Sequence, residues 1–188
     1  MTIYLIRHGK TRANEAHLYC GSTDLPLSDG GREELKKLRY SLLGKPRFVT
    51  SGMRRTEETL EILFGPVVHT VEPDFREVDF GLFELGSYEA LKDTTEYQAW
   101  LTGDNETNVP PGGESGEQMT RRALAAYARL REDTVVVTHG GVIAAVMAAL
   151  FPEEGKNRYL WQPKPGYGYA IREGRYWPIP EEPGAPEP

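Results

Sequence analysis

A single cysteine, Cys20, is present among 188 residues, and that scarcity excludes whole classes of protein. No internal disulfide can form, and no metal site built only from thiolates can be assembled. Cytoplasmic residence is the default for such a chain. Long apolar runs are missing too. Nothing approaches the ~20 consecutive apolar residues that cross a bilayer. The opening residues, "MTIYLIRH", pass straight into a strand pattern, so neither a membrane association nor a secretory leader is expected. Positive charge is in deficit, with 22 Lys and Arg against 28 Asp and Glu and a formal net charge of -6. That balance argues against nucleic acid as a partner. Also absent are the dinucleotide pattern G-x-G-x-x-G, the Walker pattern G-x-x-x-x-G-K-[ST] and the zincin pattern H-E-x-x-H. His8, His17, His69 and His139 are the only histidines. Without a paired-cysteine motif beside them, no metal and no cofactor is expected.

What is present suits one compact domain with a sizeable core. Thr2 to Ile6 is a nearly all-apolar strand, the kind buried on both faces of an α/β sheet. "CGSTDLPLSDGG" is a loop, and Ser28 reads as the cap of a helix over about 29–43, with Leu35, Leu38, Leu42 and Leu43 roughly on one face. "RFVTS" is a second strand, "GMRRTEETLEILFG" a second helix and "VVHTV" a third strand. This order predicts parallel pairing with helices on both faces, a three-layer α/β sandwich.

Residues 72–113 break the pattern and read as an excursion over the sheet, with short helical pieces near Ser87–Leu91 and Tyr97–Leu101. "ESGEQMTRRALAAYARLRED" is a strong helix, "TVVVTHGG" the best strand, and "VIAAVMAALF" a covered apolar helix. "YGYAIREGRYWPI" reads as a hairpin turning at Glu173-Gly174. The domain is expected to span 1–180, with an acidic, proline-rich tail at 181–188 that frays.

Chemistry gathers where strands stop. In open α/β sheets, ligands sit beyond the C-terminal strand ends. "RHG" follows the first strand, "SGMRRTEET" the second and "THGG" the late one. Arginines, histidines, glycine-exposed amides and a helix N-terminus together make an anion site. His8 could be a satisfied structural histidine, but Arg7 beside it needs an anion or a carboxylate. A neutral imidazole there can attack phosphorus and carry the phosphoryl group. His139, before Gly140 and Gly141, could cap its loop or donate to phosphoryl oxygens. Arg54 and Arg55 compete for one role at a helix start, and composition does not choose between them. Asp74, Glu77, Asp79 and Glu84 are candidate general acids. Such an acid must start protonated, which a neighbouring phosphate dianion favours by like charge.

The stretches "LIRHGKTRAN", "GSTDLPLSDGG", "SGMRRTEET", "REVDFGLFE", "GGES" and "VVVTHGG", in this order, resemble the histidine phosphatase superfamily in its phosphoglycerate mutase-like branch. The likeness runs from Thr2 to about Leu150. It implies that His8 is the phosphorylated histidine and that Arg7, Arg55 and His139 are phosphate ligands. It further implies Asn14 near the phosphate, Ser22 and Thr23 in the substrate loop, and Glu77 as proton donor. Two positions depart from the family pattern. Lys10 stands where glutamate is common, which makes the mouth more positive and puts Lys10 within reach of substrate. Gly52 replaces the usual proline after Ser51.

The resemblance implies a phosphomonoester hydrolase working through phosphohistidine on a small phosphorylated metabolite, as a monomer or homodimer. "YCGSTDLPLSDGG" is similar to small bacterial members acting on a ribazole phosphate. The alternatives are a phosphoglycerate mutase, a non-catalytic phospho-ligand binder and a metal hydrolase. Tyr19, Phe80, Phe83, Tyr88 and Trp100 could line a base-binding wall or form the excursion's own core.

Overall fold

A computed structural model of the protein describes residues 1–104 and 106–180. Its strands are β1 (Thr2–Arg7), β2 (Arg47–Thr50), β3 (His69–Val71), β4 (Thr134–Thr138), β5 (Gly168–Arg172) and β6 (Arg175–Ile179). They form one sheet in the order β3-β2-β4-β1-β5-β6. The first four are mutually parallel, and β5 and β6 run antiparallel at one edge. The helices are α1 (Arg12–Glu15), α2 (Asp29–Lys36), α3 (Arg54–Phe64), α4 (Tyr88–Leu91), α5 (Thr95–Leu101), α6 (Gly116–Arg129) and α7 (Gly140–Leu150).

Side-chain alternation along the central strands holds the layers together. Successive residues of a strand point to opposite faces, so a strand covered on both sides must be apolar throughout. In β1, Ile3 and Leu5 pack with Val136 of β4 and with Met119, Ala123, Ile143 and Met147 of α6 and α7. Tyr4 and Ile6 face the other way, packing with Val135, Val137 and Leu60 of α3. The expected three-layer α/β architecture with a mostly parallel sheet is therefore what forms. α7, apolar almost all round, is buried from Val142 to Met147.

Local signals explain most boundaries. The Ser28 hydroxyl accepts from the Gly31 amide at 3.0 Å and starts α2. That helix stops at Lys36, well short of the expected 43. Arg39 caps it by donating to the Lys36 and Leu38 carbonyls. The chain then turns, so that Tyr40 meets Phe64 at 5.5 Å between ring centroids and Leu42 joins the α3-side cluster. Leu43 is left exposed. The leucine spacing thus reported two separate packing duties rather than one helical face. β3 is also shorter than "VVHTV", because Val67 is held in a turn by the Gly65 carbonyl and Val68 is exposed. The hairpin turns at Glu173 and Gly174 as expected, both at positive φ (52° and 71°), the conformation a two-residue hairpin loop requires. The expectation for the tail at 181–188 lies outside the described residues.

Met147 is fully buried between the sheet and α6. Met147→Ala should lower unfolding free energy by about 2–5 kcal/mol, the range for truncating such a core side chain. Urea unfolding followed by circular dichroism measures it. A loss below about 1 kcal/mol would contradict the packing described.

Candidate functional site

Strand register builds the centre of the site. Arg7 of β1 lies opposite Thr138 of the parallel neighbour β4. The next residue on each strand is a histidine, so His8 and His139 leave the sheet side by side at its C-terminal edge. The His8 amide donates to the Thr138 carbonyl at 2.9 Å. Both rings are buried, with centroids 5.1 Å apart and planes at 65°. β2 flanks β4 on the other side with Thr50 opposite Val137. Ser51 therefore emerges next to His139, and the first turn of α3 delivers Arg55, which is 1% exposed.

Hydrogen bonds fix both imidazole tautomers. His8 Nδ1 lies 2.7 Å from the Gly9 carbonyl oxygen. A carbonyl can only accept, so Nδ1 carries the proton and Nε2 the lone pair. Around His139 a directional chain forms. Nε2–H donates to Ser51 Oγ at 2.8 Å, Ser51 to Thr56 Oγ1 at 3.1 Å, and Thr56 to the Met53 carbonyl at 2.7 Å. His139 Nδ1 accepts from Arg55 Nε at 3.3 Å. As arranged, His139 has no proton to offer the centre. Burial, reinforced by Arg55, holds both imidazoles well below their usual value of 6.5; Arg7 adds to this at His8, and His8 itself at His139. Both rings are therefore neutral at pH 7.

Two guanidiniums complete the cage. Arg55 also donates to the Thr23 carbonyl at 2.8 Å and the Gly21 carbonyl at 2.6 Å. Those bonds and the one to His139 use three of its five N–H donors, leaving two. Arg7 donates through Nη1 to the Pro163 carbonyl at 2.8 Å. Its Nε is buried and has no partner among the described residues. Buried polar groups are almost always satisfied, and an unsatisfied donor on a cation marks a place for an anion. Arg54 is exposed and faces Glu58 at 3.6 Å, so the choice that composition left open falls to Arg55.

Glu77 closes the other side. Its Oε2 accepts from the Gly141 amide at 2.9 Å, in the first turn of α7. The two glycines after His139 are needed for close approach. A Cβ on Gly140 would lie 3.0 Å from Arg7 Cζ, and one on Gly141 would lie 2.4 Å from Glu77 Oε1. The rival carboxylates have other duties. Asp74 pairs with Arg129 at 2.9 Å. Asp79 accepts from Ser22 Oγ and the Gly81 amide, both at 2.8 Å. Glu84 accepts from the Gly21, Ser22 and Thr23 amides and from Thr23 Oγ1.

The remaining sequence candidates lie in local networks. Asn14 Oδ1 accepts from the Thr11 amide and hydroxyl, completing the capping box in which Thr11 caps α1. Lys10 Nζ pairs with Glu34 at 2.8 Å, so its charge is met at the surface. Ser22 and Thr23 are tied to Asp79 and Glu84, and Thr23 reaches the cage through its carbonyl rather than its hydroxyl.

Sequence reading missed the supports. Thr59 accepts from the Gly9 amide at 3.0 Å and donates to the Arg55 carbonyl at 2.6 Å, tying the His8 loop to α3. Its place one turn after Arg55 was the available signal. Arg122 of α6 donates to the Asp74, Arg76 and Glu77 carbonyls at 2.8, 2.6 and 3.0 Å and pairs with Glu114. It clamps the Glu77 loop from a helix about forty-five residues away, which no local pattern could reveal.

Beside Glu77 and Gly141 lies a cavity of about 290 Å³ whose walls include Tyr19, Phe80, Trp100 and Met119. Phe83 is instead fully buried and Tyr88 exposed. The aromatic set thus divides three ways, with Tyr19, Phe80 and Trp100 on the wall, Phe83 in the excursion's own core and Tyr88 at the surface. Among the described residues, no three His, Cys, Asp or Glu side chains gather at metal-binding spacing. No helix there is long and apolar enough to cross a membrane.

Comparison with known proteins agrees with this geometry. The adenosylcobalamin/alpha-ribazole phosphatase of Salmonella typhimurium is 30% identical over 182 residues, covering 91% of this chain and 90% of that protein. A probable phosphoglycerate mutase, GpmB, of Salmonella typhi is 28% identical over 162 residues, covering 80% of this chain and 74% of its own length. The crystal structure of a putative alpha-ribazole-5'-P phosphatase from Escherichia coli K-12 superposes with a TM-score of 0.81 at 25% identity, covering 95% of this chain and 94% of that one. The pattern of the histidine phosphatase superfamily (branch 1) matches residues 3–166, a span that takes in both strand-end histidines, Arg7 at the end of β1, Arg55 after β2, and Glu77. With the likeness extending over most of its length, the chain belongs to the histidine phosphatase superfamily.

Proposed function

We propose that the protein hydrolyses phosphomonoesters of small metabolites through a phosphohistidine formed on His8. One observation carries this reading: a neutral imidazole, its Nδ1 proton held by Gly9, beside an Arg7 Nε that lacks a partner. A lone-pair nitrogen next to unsatisfied positive charge is what in-line attack on a phosphoryl dianion requires.

In the proposed reaction, Arg7 and Arg55 bind the non-bridging oxygens of the ester. His139 joins them once Arg55 Nε turns from its Nδ1 to the phosphoryl oxygens and that nitrogen takes a proton from solvent, a change that the incoming dianion favours by opposite charge. His8 Nε2 forms a bond to phosphorus as the bond from phosphorus to the ester oxygen breaks. Glu77 gives its proton to the departing alkoxide. Water then attacks the phosphohistidine, Glu77 takes the water's proton, and phosphate leaves as the N–P bond breaks. Guanidiniums and imidazole supply the charge that stabilises the transferring group. The names of the ribazole phosphatase relatives support a phosphorylated nucleoside-like substrate, and the aromatic wall suits one. A lone cysteine and small-metabolite chemistry favour a cytoplasmic setting, with the molecule acting as a monomer or homodimer and without nucleic acid. Lys10, Asn14, Ser22 and Thr23 then serve the site by shaping its loops.

The relatives named phosphoglycerate mutase support a second reading, in which the same phosphohistidine is returned to the substrate. Product analysis separates the two. Incubation with 3-phosphoglycerate should give inorganic phosphate and glycerate; accumulation of 2-phosphoglycerate would assign a mutase instead.

The role of Glu77 has a kinetic signature. Glu77→Gln should lower kcat for alkyl phosphates by roughly a hundred- to ten-thousand-fold, the usual weight of a general acid. It should matter far less for p-nitrophenyl phosphate, whose leaving group needs no proton. Arg122→Met should shift the same ratio in the same direction, since Arg122 holds the Glu77 carbonyl. Equal losses on both substrates would remove Glu77 from proton transfer.

Burial of the imidazoles also sets a pH dependence. The unfolded chain binds protons on His8 and His139 near the ordinary value of 6.5, while the folded chain resists them. Stability is therefore full above that value and falls as pH drops below it. Melting temperature between pH 5 and 8 should decline on the acid side, and less steeply in His8→Asn. An identical decline in that variant would show that His8 is not held neutral.

A further inference from the structure

The cavity beyond the cage holds an uneven set of charges. Among the described residues lining it, Glu77, Glu106 and Glu114 are acidic and Arg158 alone is basic. Arg158 stands on a short 3-10 turn, Arg158–Trp161, after α7. Glu106 comes from a segment distant in sequence, the connection between α5 and α6. The two side chains form an ion pair across the cavity, and Tyr159 Oη donates to the free Oε1 of Glu106 at 3.2 Å. The Glu106 backbone is fixed separately, its carbonyl accepting from the Glu117 amide at 2.9 Å at the start of α6. Glu114 is committed to Arg122.

A carboxylate on the leaving alcohol would therefore meet aromatic walls, acidic groups and a guanidinium already neutralised. An uncharged aromatic body would meet Tyr19, Phe80 and Trp100 without that penalty. Resting on the phosphatase reading above, we propose that the Glu106–Arg158 pair sets the charge selectivity of the leaving-group cavity. Glu106 withholds Arg158 from substrate. The cavity thus disfavours phosphomonoesters bearing a carboxylate and favours those whose alcohol is uncharged and aromatic. Arg158 is a latent carboxylate receptor that one side chain keeps silent.

The test is the ratio of kcat/KM for 3-phosphoglycerate to that for 1-naphthyl phosphate, measured in the wild type, Glu106→Gln and Arg158→Gln. The wild type should favour naphthyl phosphate. Glu106→Gln should raise the ratio by about tenfold, the scale of one unit charge acting over several ångström in partly hydrated protein. Arg158→Gln, which leaves Glu106 unneutralised, should lower it. A purely structural role for the pair would change both substrates alike and leave the ratio fixed, which overturns the proposal. Two variants moving the ratio in the same direction overturn it as well, as does a wild type that prefers 3-phosphoglycerate. If Glu106→Gln does not fold, the Arg158→Gln ratio decides alone: a fall supports the pair and no change overturns it. Wild-type protein that turns over neither ester contradicts the phosphatase reading itself, a result distinct from active enzyme with an unmoved ratio.

Discussion

The parallel register between β1 and β4 is the constraint on which the site depends. It sets Arg7 opposite Thr138 and so brings two strand-end histidines, distant in sequence, to 5.1 Å between ring centroids. Because strand side chains alternate, a slip of one residue would turn the core residues of β1 to the wrong faces. Burial of Ile3 and Leu5 on one face and of Tyr4 and Ile6 on the other therefore locks the relative position of the imidazoles. Core packing and the geometry of the candidate site are here one structural fact.

Around that pair, positive charge is held in place largely by backbone carbonyls. Arg55 leans on Gly21 and Thr23, and Arg7 on Pro163. Carbonyl dipoles position a guanidinium without cancelling its charge, as a carboxylate would, so the cations stay available to a phosphoryl group. Elsewhere cations meet carboxylates: Lys10 meets Glu34, Arg122 meets Glu114 and Arg158 meets Glu106. The contrast separates the cationic cage from the cavity beside it. Support runs outward through Thr59, Ser51 and Glu84, which tie the site's loops to α3, β2 and one another.

The sheet and the cage were legible because each rests on short, local signals. Apolar runs named β1 and β4, and histidine-glycine pairs at their ends pointed to the sheet edge where the two imidazoles and the guanidiniums meet. The tie between Arg54 and Arg55 could not be broken from composition, since both start a helix; three-dimensional burial separates them. The length of α2 was misread because Leu38, Leu42 and Leu43 have spacing that suits a helix, although Arg39 and Tyr40 turn the chain out of it. The clamp formed by Arg122 and the pairing of Glu106 with Arg158 were invisible for a different reason. Each joins segments whose proximity is created only by the excursion folding back over the sheet, and charged side chains on exposed-looking segments carry no mark of their partner.

The account rests on His8 becoming transiently bonded to phosphorus. Its most direct test is rapid mixing with a phosphomonoester, an alkaline quench within one turnover and mass spectrometry of the peptide containing residues 8–10. The account predicts a phosphoryl group on His8 that appears before product is released and is absent in His8→Ala. Steady turnover with no adduct on that peptide, persisting when His8 is replaced, would contradict it.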